Sequence, residues 1–169
     1  MSIDLSQPGS PGISDALAQA AADYGQALAG ESRRRFQDML PRIVERVVGP
    51  DQAREALDHG GFLLNESTVV MRHNPDTDAV EFFCDVGLPP AHAREAAYRV
   101  ALEMNLCRTH PGITFGVHPE SGRMVATTAI HDMLIADDEV CVHTLQMLTR
   151  VVRELRDARV IDVDVDADA

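Results

Sequence analysis

The stretch Pro90–Leu106, PAHAREAAYRVALEMNL, most constrains what this chain can fold into. At the 100° per residue of a helix it carries two apolar stripes where a surface helix needs one. Ala93, Ala96, Ala97, Val100, Ala101 and Met104 make the broad stripe, and Tyr98, Leu102 and Leu106 make the second. His92, Glu95, Arg99 and Glu103 share the polar edge between them. Two stripes call for two covers, one the chain's own sheet and the other a second copy of the chain. The pattern alone also admits a central helix in a monomer. On the dimeric reading the interface residues are Tyr98, Leu102 and Leu106 with Ala97 and Ala101.

Around that helix the periodicity changes twice. Residues 1–30 read as a flexible arm with a short alanine-rich helix, capped near Ser14 and ended by Gly30. Phe36, Met39, Leu40, Ile43, Val44 and Val47 then form one helical face, with a kink or a fresh start expected at Pro41. Gly49-Pro50 breaks the pattern, and Asp51–Leu57 has room for one turn or two. From Gly61 the alternation is that of strands: Phe62–Leu64, Thr68–Asn74 and Ala79–Val86, with a turn at Pro75–Asp78. After the central helix, Ile113–His118 and Arg123–Ile130 read as a hairpin about Pro119–Gly122. A last helix over Asp138–Arg156 has an acidic first turn and a basic last turn, as the helix dipole favours. The end, VIDVDVDADA, reads as a solvated acidic tail or a short edge strand. The prediction is an α+β fold, an antiparallel sheet of about five strands with three main helices in the order α-βββ-α-ββ-α. One domain spans residues 31–158, with the tail at 159–169.

Composition excludes several classes. Net charge of −12, interrupted by Arg33–Arg35 alone, opposes binding to nucleic acid backbones. No apolar run approaches the roughly 18 residues a membrane helix needs. Three cysteines, Cys84, Cys107 and Cys141, with no apolar secretory leader in view, predict a reducing cytoplasm. Cys107 with His110 and Cys141 with His143 are the nearest approach to ligand spacing, and neither is a paired zinc knuckle. His59-Gly60-Gly61 resembles an oxyanion segment without the nucleophile elbow it would serve. The expectation is a protein with no catalytic constellation, metal or cofactor.

Some apolar residues fall on strand faces that alternation assigns away from the core. Phe83 sits with Glu81 and Asp85, Val70 with Arg72 and Asn74, and Val125 with Thr127 and Ala129. If the sheet joins them to part of the Phe36–Val47 helix, they would make a patch large enough to need a partner; the alternative is that both faces of the sheet are covered within a dimer.

The order of elements resembles the class I type III secretion chaperones of the Tir-chaperone family. The residues that carry the likeness run from Ala101 to Ile130. ALEMNL is similar to the family's L-L-x-A-N segment through Leu102, Asn105 and Leu106, with Met104 in place of the usual alanine. ITFGVHPESGRMVATTAI is similar to the hairpin that follows it. The likeness covers about residues 32–158 and leaves out the arm, the alanine-rich helix and the aspartate tail. It implies a cytoplasmic homodimer that uses no cofactor and holds the N-terminal segment of a secreted effector in extended form. Phe36, Leu40, Val70, Phe83 and Val125 would then be the effector-binding residues. A metal-independent ligand-binding or enzymatic α+β domain, and a scaffold for a folded partner, are the alternatives.

Overall fold

The computed structural model describes residues 13–131 and 137–161. Four helices, α1 (Ile13–Val48), α2 (Pro50–His59), α3 (Arg94–Cys107) and α4 (Asp138–Asp157), accompany five strands. These are β1 (Phe62–Leu64), β2 (Ser67–Asn74), β3 (Ala79–Gly87), β4 (Thr114–Val117) and β5 (Met124–His131). They form one antiparallel sheet in the order β1-β2-β3-β5-β4. This is the α+β class expected, with the alternating strands where the sequence placed them.

The β1–β2 hairpin closes through Asn65 and Glu66, both left-handed at φ 51° and 63°. A two-residue turn of that handedness matches the right-handed twist of its strands. The side chains of Val69, Met71, Val80, Phe82, Cys84, Val86, Met124 and Ala126 lie on one face of the sheet and are buried. Met39, Ile43 and Val44 of α1 pack there with Leu145, Leu148, Val151 and Val152 of α4, all within one core. Arg42 of α1 forks onto the Asp138 carboxylate of α4 with both contacts at 2.9 Å, and Arg46 pairs with Glu139. At the other end of α4, Arg156 donates to the carbonyls of Val86 (2.7 Å), Asp85 (2.6 Å) and Glu66 (3.2 Å) and to the Ser67 hydroxyl (3.1 Å). One guanidinium thereby ties the last turn of α4 to the β1–β2 turn and the end of β3.

Four local expectations are corrected. Gly30 does not end a helix: α1 runs unbroken for 36 residues. A C-terminal glycine works through a left-handed φ, which Gly30 lacks. In a helix interior its penalty is only about 1 kcal/mol against alanine. Pro41 does not start a new helix either. It withholds one hydrogen bond, but Met39, Ile43 and Val44 around it are almost fully buried and hold the segment helical. Asp51–Leu57 is part of a complete helix, α2, which Pro50 opens and left-handed Gly60 closes. The described residues therefore hold four helices where three main ones were expected. α3 begins at Arg94, after a turn, rather than at Pro90. Residues 1–12 of the expected arm and residues 162–169 of the expected acidic tail lie outside the described residues. Ile161, just before them, is buried.

Candidate functional site

Because α1 and α4 both pack on the same face of the sheet, no helix among the described residues lies over the other face. Period-two alternation decides what stands there. Leu63 and Thr68 lie opposite each other at one end, and Val70, Phe83, Thr127 and Thr114 form a row across four strands. Arg72, Glu81 and Ala129 form the next row, and Asp85, Val125 and Gly116 the row on the other side. Val70 is 38% exposed and Leu63 62%, while Phe83 and Val125 are half-buried by their neighbours. The sheet thus brings Val70, Phe83 and Val125 together on its open face.

Two ion pairs bracket this apolar row. Arg72 Nε donates to Glu81 at 2.7 Å, and its guanidinium carbon stands 4.9 Å over the Phe83 ring, within cation–π range. Asn74 donates to the other Glu81 oxygen at 2.8 Å. That bond, ahead of the Arg72 guanidinium, holds the Glu81 carboxyl below its ordinary range. On the far side Arg123 forks onto Asp85, with contacts of 3.0 and 2.7 Å. Small side chains on β5 and β4 leave a groove of about 480 Å³ beside Phe83, lined by Arg72, Glu81, Thr114, Thr127, Ala129 and His131.

Phe36 and Leu40 are elsewhere. Phe36 is buried on the covered side, stacked on His73 with ring centroids 6.1 Å apart. Leu40 packs against the same core. A helix lies on one side of a sheet only, so the α1 pair and the open-face trio form no common surface.

The second surface is α3, which lies beside the edge strand β4. Asn105 reaches across and occupies that edge: its Nδ2 donates to the Phe115 carbonyl (2.8 Å) and its Oδ1 accepts from the Phe115 amide (2.9 Å). This answers the two main-chain groups that an edge residue otherwise leaves for another strand. Tyr98 donates its hydroxyl to the Gly122 carbonyl at 2.7 Å, fastening α3 to the β4–β5 turn. Gly122 is left-handed (φ 70°), and an added Cβ would stand 3.3 Å from that hydroxyl. Ala97, Ala101 and Met104 are buried within the protomer. Leu102 and Leu106, one turn apart, are 67% and 84% exposed. Of the five expected interface residues, these two face outward without cover.

Burial pushes the Cys84 thiol up to about 11 and the Cys141 thiol up to about 12, the reverse of what a nucleophilic thiolate needs. Among the described residues no cluster of three metal-ligating side chains occurs, and no helix is long and apolar enough to cross a membrane. Periodicity did not reveal the Asn105 plug or the Arg156 clamp. Both join residues to backbone groups remote in sequence.

No family model matches the chain, and no curated protein matches it in sequence. In three dimensions the chain is similar to a chain of the ExsC–ExsE complex, with a TM-score of 0.58 and 16% identity. The match covers 74% of this chain and 93% of that one. It is also similar to a chain of the HopA1–SchA chaperone–effector complex (TM-score 0.52, 14% identity), over 75% of this chain and 97% of that one. The similarity at these identities is one of fold.

Proposed function

We propose that this protein is a cytoplasmic chaperone of a type III secretion system, of the Tir-chaperone kind. It dimerises through α3 and holds an extended segment of a secreted effector on its open sheet face. One observation carries the reading: α1 and α4 pack on one side of the sheet, and the other side carries Val70, exposed, with Phe83 and Val125, half-buried. An extended chain without its own core can wrap such a surface and gain apolar burial at several separate points. The fold it shares with chains of the ExsC–ExsE and HopA1–SchA complexes supports the reading. So do the raised cysteine pKa values, which disfavour thiol catalysis. Leu102 and Leu106 supply the apolar strip for a second copy.

The test is the double variant Phe83→Ser with Val125→Ser, co-expressed with candidate effectors and assayed by co-purification. Both side chains lie outside the main core, so the melting temperature stays close to wild type while effector capture is lost. Unfolding of the variant, or effector capture equal to wild type, would place the binding surface elsewhere.

A further inference from the structure

Arg72 is an unusual residue on this face, because its position is fixed while its Nη donors are unused. Its Nε is committed to Glu81 at 2.7 Å and its guanidinium lies over Phe83. Glu81 is in turn held by Asn74. Among the described residues the two Nη groups of Arg72 donate to no protein acceptor, and the side chain is 62% exposed. A guanidinium pinned in this way loses little rotamer freedom on binding, and its free edge matches a carboxylate. Beside it, Thr127 and Ala129 make a floor of small side chains one i, i+2 step long, about 7 Å on the strand repeat. Phe83 and Thr127 stand at one end of that step, Glu81 with its partner Arg72 at the other.

We propose that Arg72 is the specificity-determining contact of the open face. It takes the carboxylate of an aspartate or glutamate placed two positions from an apolar residue in the partner's extended segment. The inference rests on the reading of this face as the docking surface for such a segment. The apolar residue lies against Phe83 and Thr127, and the next inward side chain, two positions on, falls at Arg72. Charge argues for the same occupant. The Glu81 carboxylate is already met by two donors, so the unsatisfied capacity at this spot is that of the Arg72 Nη donors. On a chain of net charge −12 these free guanidinium donors accept an acidic side chain in one register, and the surrounding carboxylates disfavour it elsewhere.

The experiment selects a phage-displayed random dodecapeptide library on three immobilised full-length proteins: wild type, Arg72→Gln, and Phe83→Ser with Val125→Ser. Wild type enriches peptides with Asp or Glu two positions from Leu, Ile, Val or Phe. Arg72→Gln, whose melting temperature stays near wild type because the lost ion pair is exposed, enriches the apolar residue without the acid. Calorimetry on an enriched peptide and its Asp→Asn form then gives a loss of roughly tenfold or more on wild type and none on Arg72→Gln, as a charge-assisted hydrogen bond requires. Enrichment on wild type without acidic bias, an acidic bias that survives Arg72→Gln, or no enrichment at all overturns the proposal. The docking reading fails separately, if peptides bind Phe83→Ser with Val125→Ser as well as wild type.

Discussion

Replacing Asn105 tests how α3 is held to the sheet. Its amide makes two hydrogen bonds of 2.8 and 2.9 Å to the main chain of Phe115. β4 is an edge strand, and these Phe115 groups take Asn105 as their partner on its outer side. Asn105→Ala deletes both bonds and leaves one amide and one carbonyl to be answered by water. Each such bond contributes about 1 kcal/mol net, more where water cannot reach the orphaned group. Asn105 is half-buried, so the expected loss is about 2 kcal/mol. In a chain of this size that corresponds to a fall in Tm of roughly 4–8 °C. Asn105→Asp is expected to lose more at neutral pH, since it keeps no donor and sets a carboxylate against the Phe115 carbonyl. Amide hydrogen exchange gives the decisive signal. The Phe115 amide owes its protection to Asn105, so its exchange quickens in Asn105→Ala, while amides in the β3–β5 ladder slow or quicken only with global stability. A Tm within about 1 °C of wild type, with Phe115 exchange unchanged, would refute the argument that the side chain serves as the missing strand.

Leu102→Glu leaves the protomer folded, because Leu102 is 67% exposed within it, but places a charge in the proposed dimer contact. A soluble monomer by light scattering is expected, and a wild-type protein already monomeric at tens of micromolar, roughly the range in which a stable interface holds, would contradict it. Arg156→Ala strips the hydrogen bonds from the carbonyls of Val86, Asp85 and Glu66, and urea unfolding should show a loss of about 3 kcal/mol. A midpoint equal to wild type would rule the clamp out. Glu81 and Asp138 titrate below the ordinary carboxylate range, held down first by Asn74 and by Arg42 respectively. Their contribution is therefore complete above the unfolded values and is lost as pH falls through the folded ones. The acid limb of a stability–pH curve should flatten in Glu81→Gln with Asp138→Asn; an unchanged limb would refute it.

What could be read from the sequence follows from the range of the interactions involved. Strict alternation in Ala79–Val86 placed Val80, Phe82, Cys84 and Val86 inward, because a strand buried on one face permits no other register. The double stripe of α3 was legible in part: of the broad stripe Ala97, Ala101 and Met104 are buried, Ala93 and Val100 half-buried and Ala96 exposed, and Leu102 and Leu106 of the second face outward. Tyr98 departs from that division. Its ring lies with the outward stripe by helical angle, yet its hydroxyl is drawn back to a carbonyl 24 residues away. Local punctuation was the weaker guide. Gly30 and Pro41 each penalise a helix by a bounded amount, and the packing of Met39, Ile43 and Val44 outweighs it.

The open face shows where such reading stops and why function depends on it. Alternation identifies Phe83 and Val70 as outward-facing, but it cannot say whether a helix will cover them. That depends on which side the connections cross. Here the chain sends α1 and α4 to the same side and spends its one remaining long helix, α3, on an edge strand. Asn105 then answers the outward main-chain groups of Phe115, which would otherwise invite strand pairing at β4. The open face is left with apolar side chains between two ion pairs, in a molecule whose main-chain edge is blocked at that point. A partner there has to be recognised through side chains. Such recognition can discriminate one segment from another, which pairing of backbone alone does not.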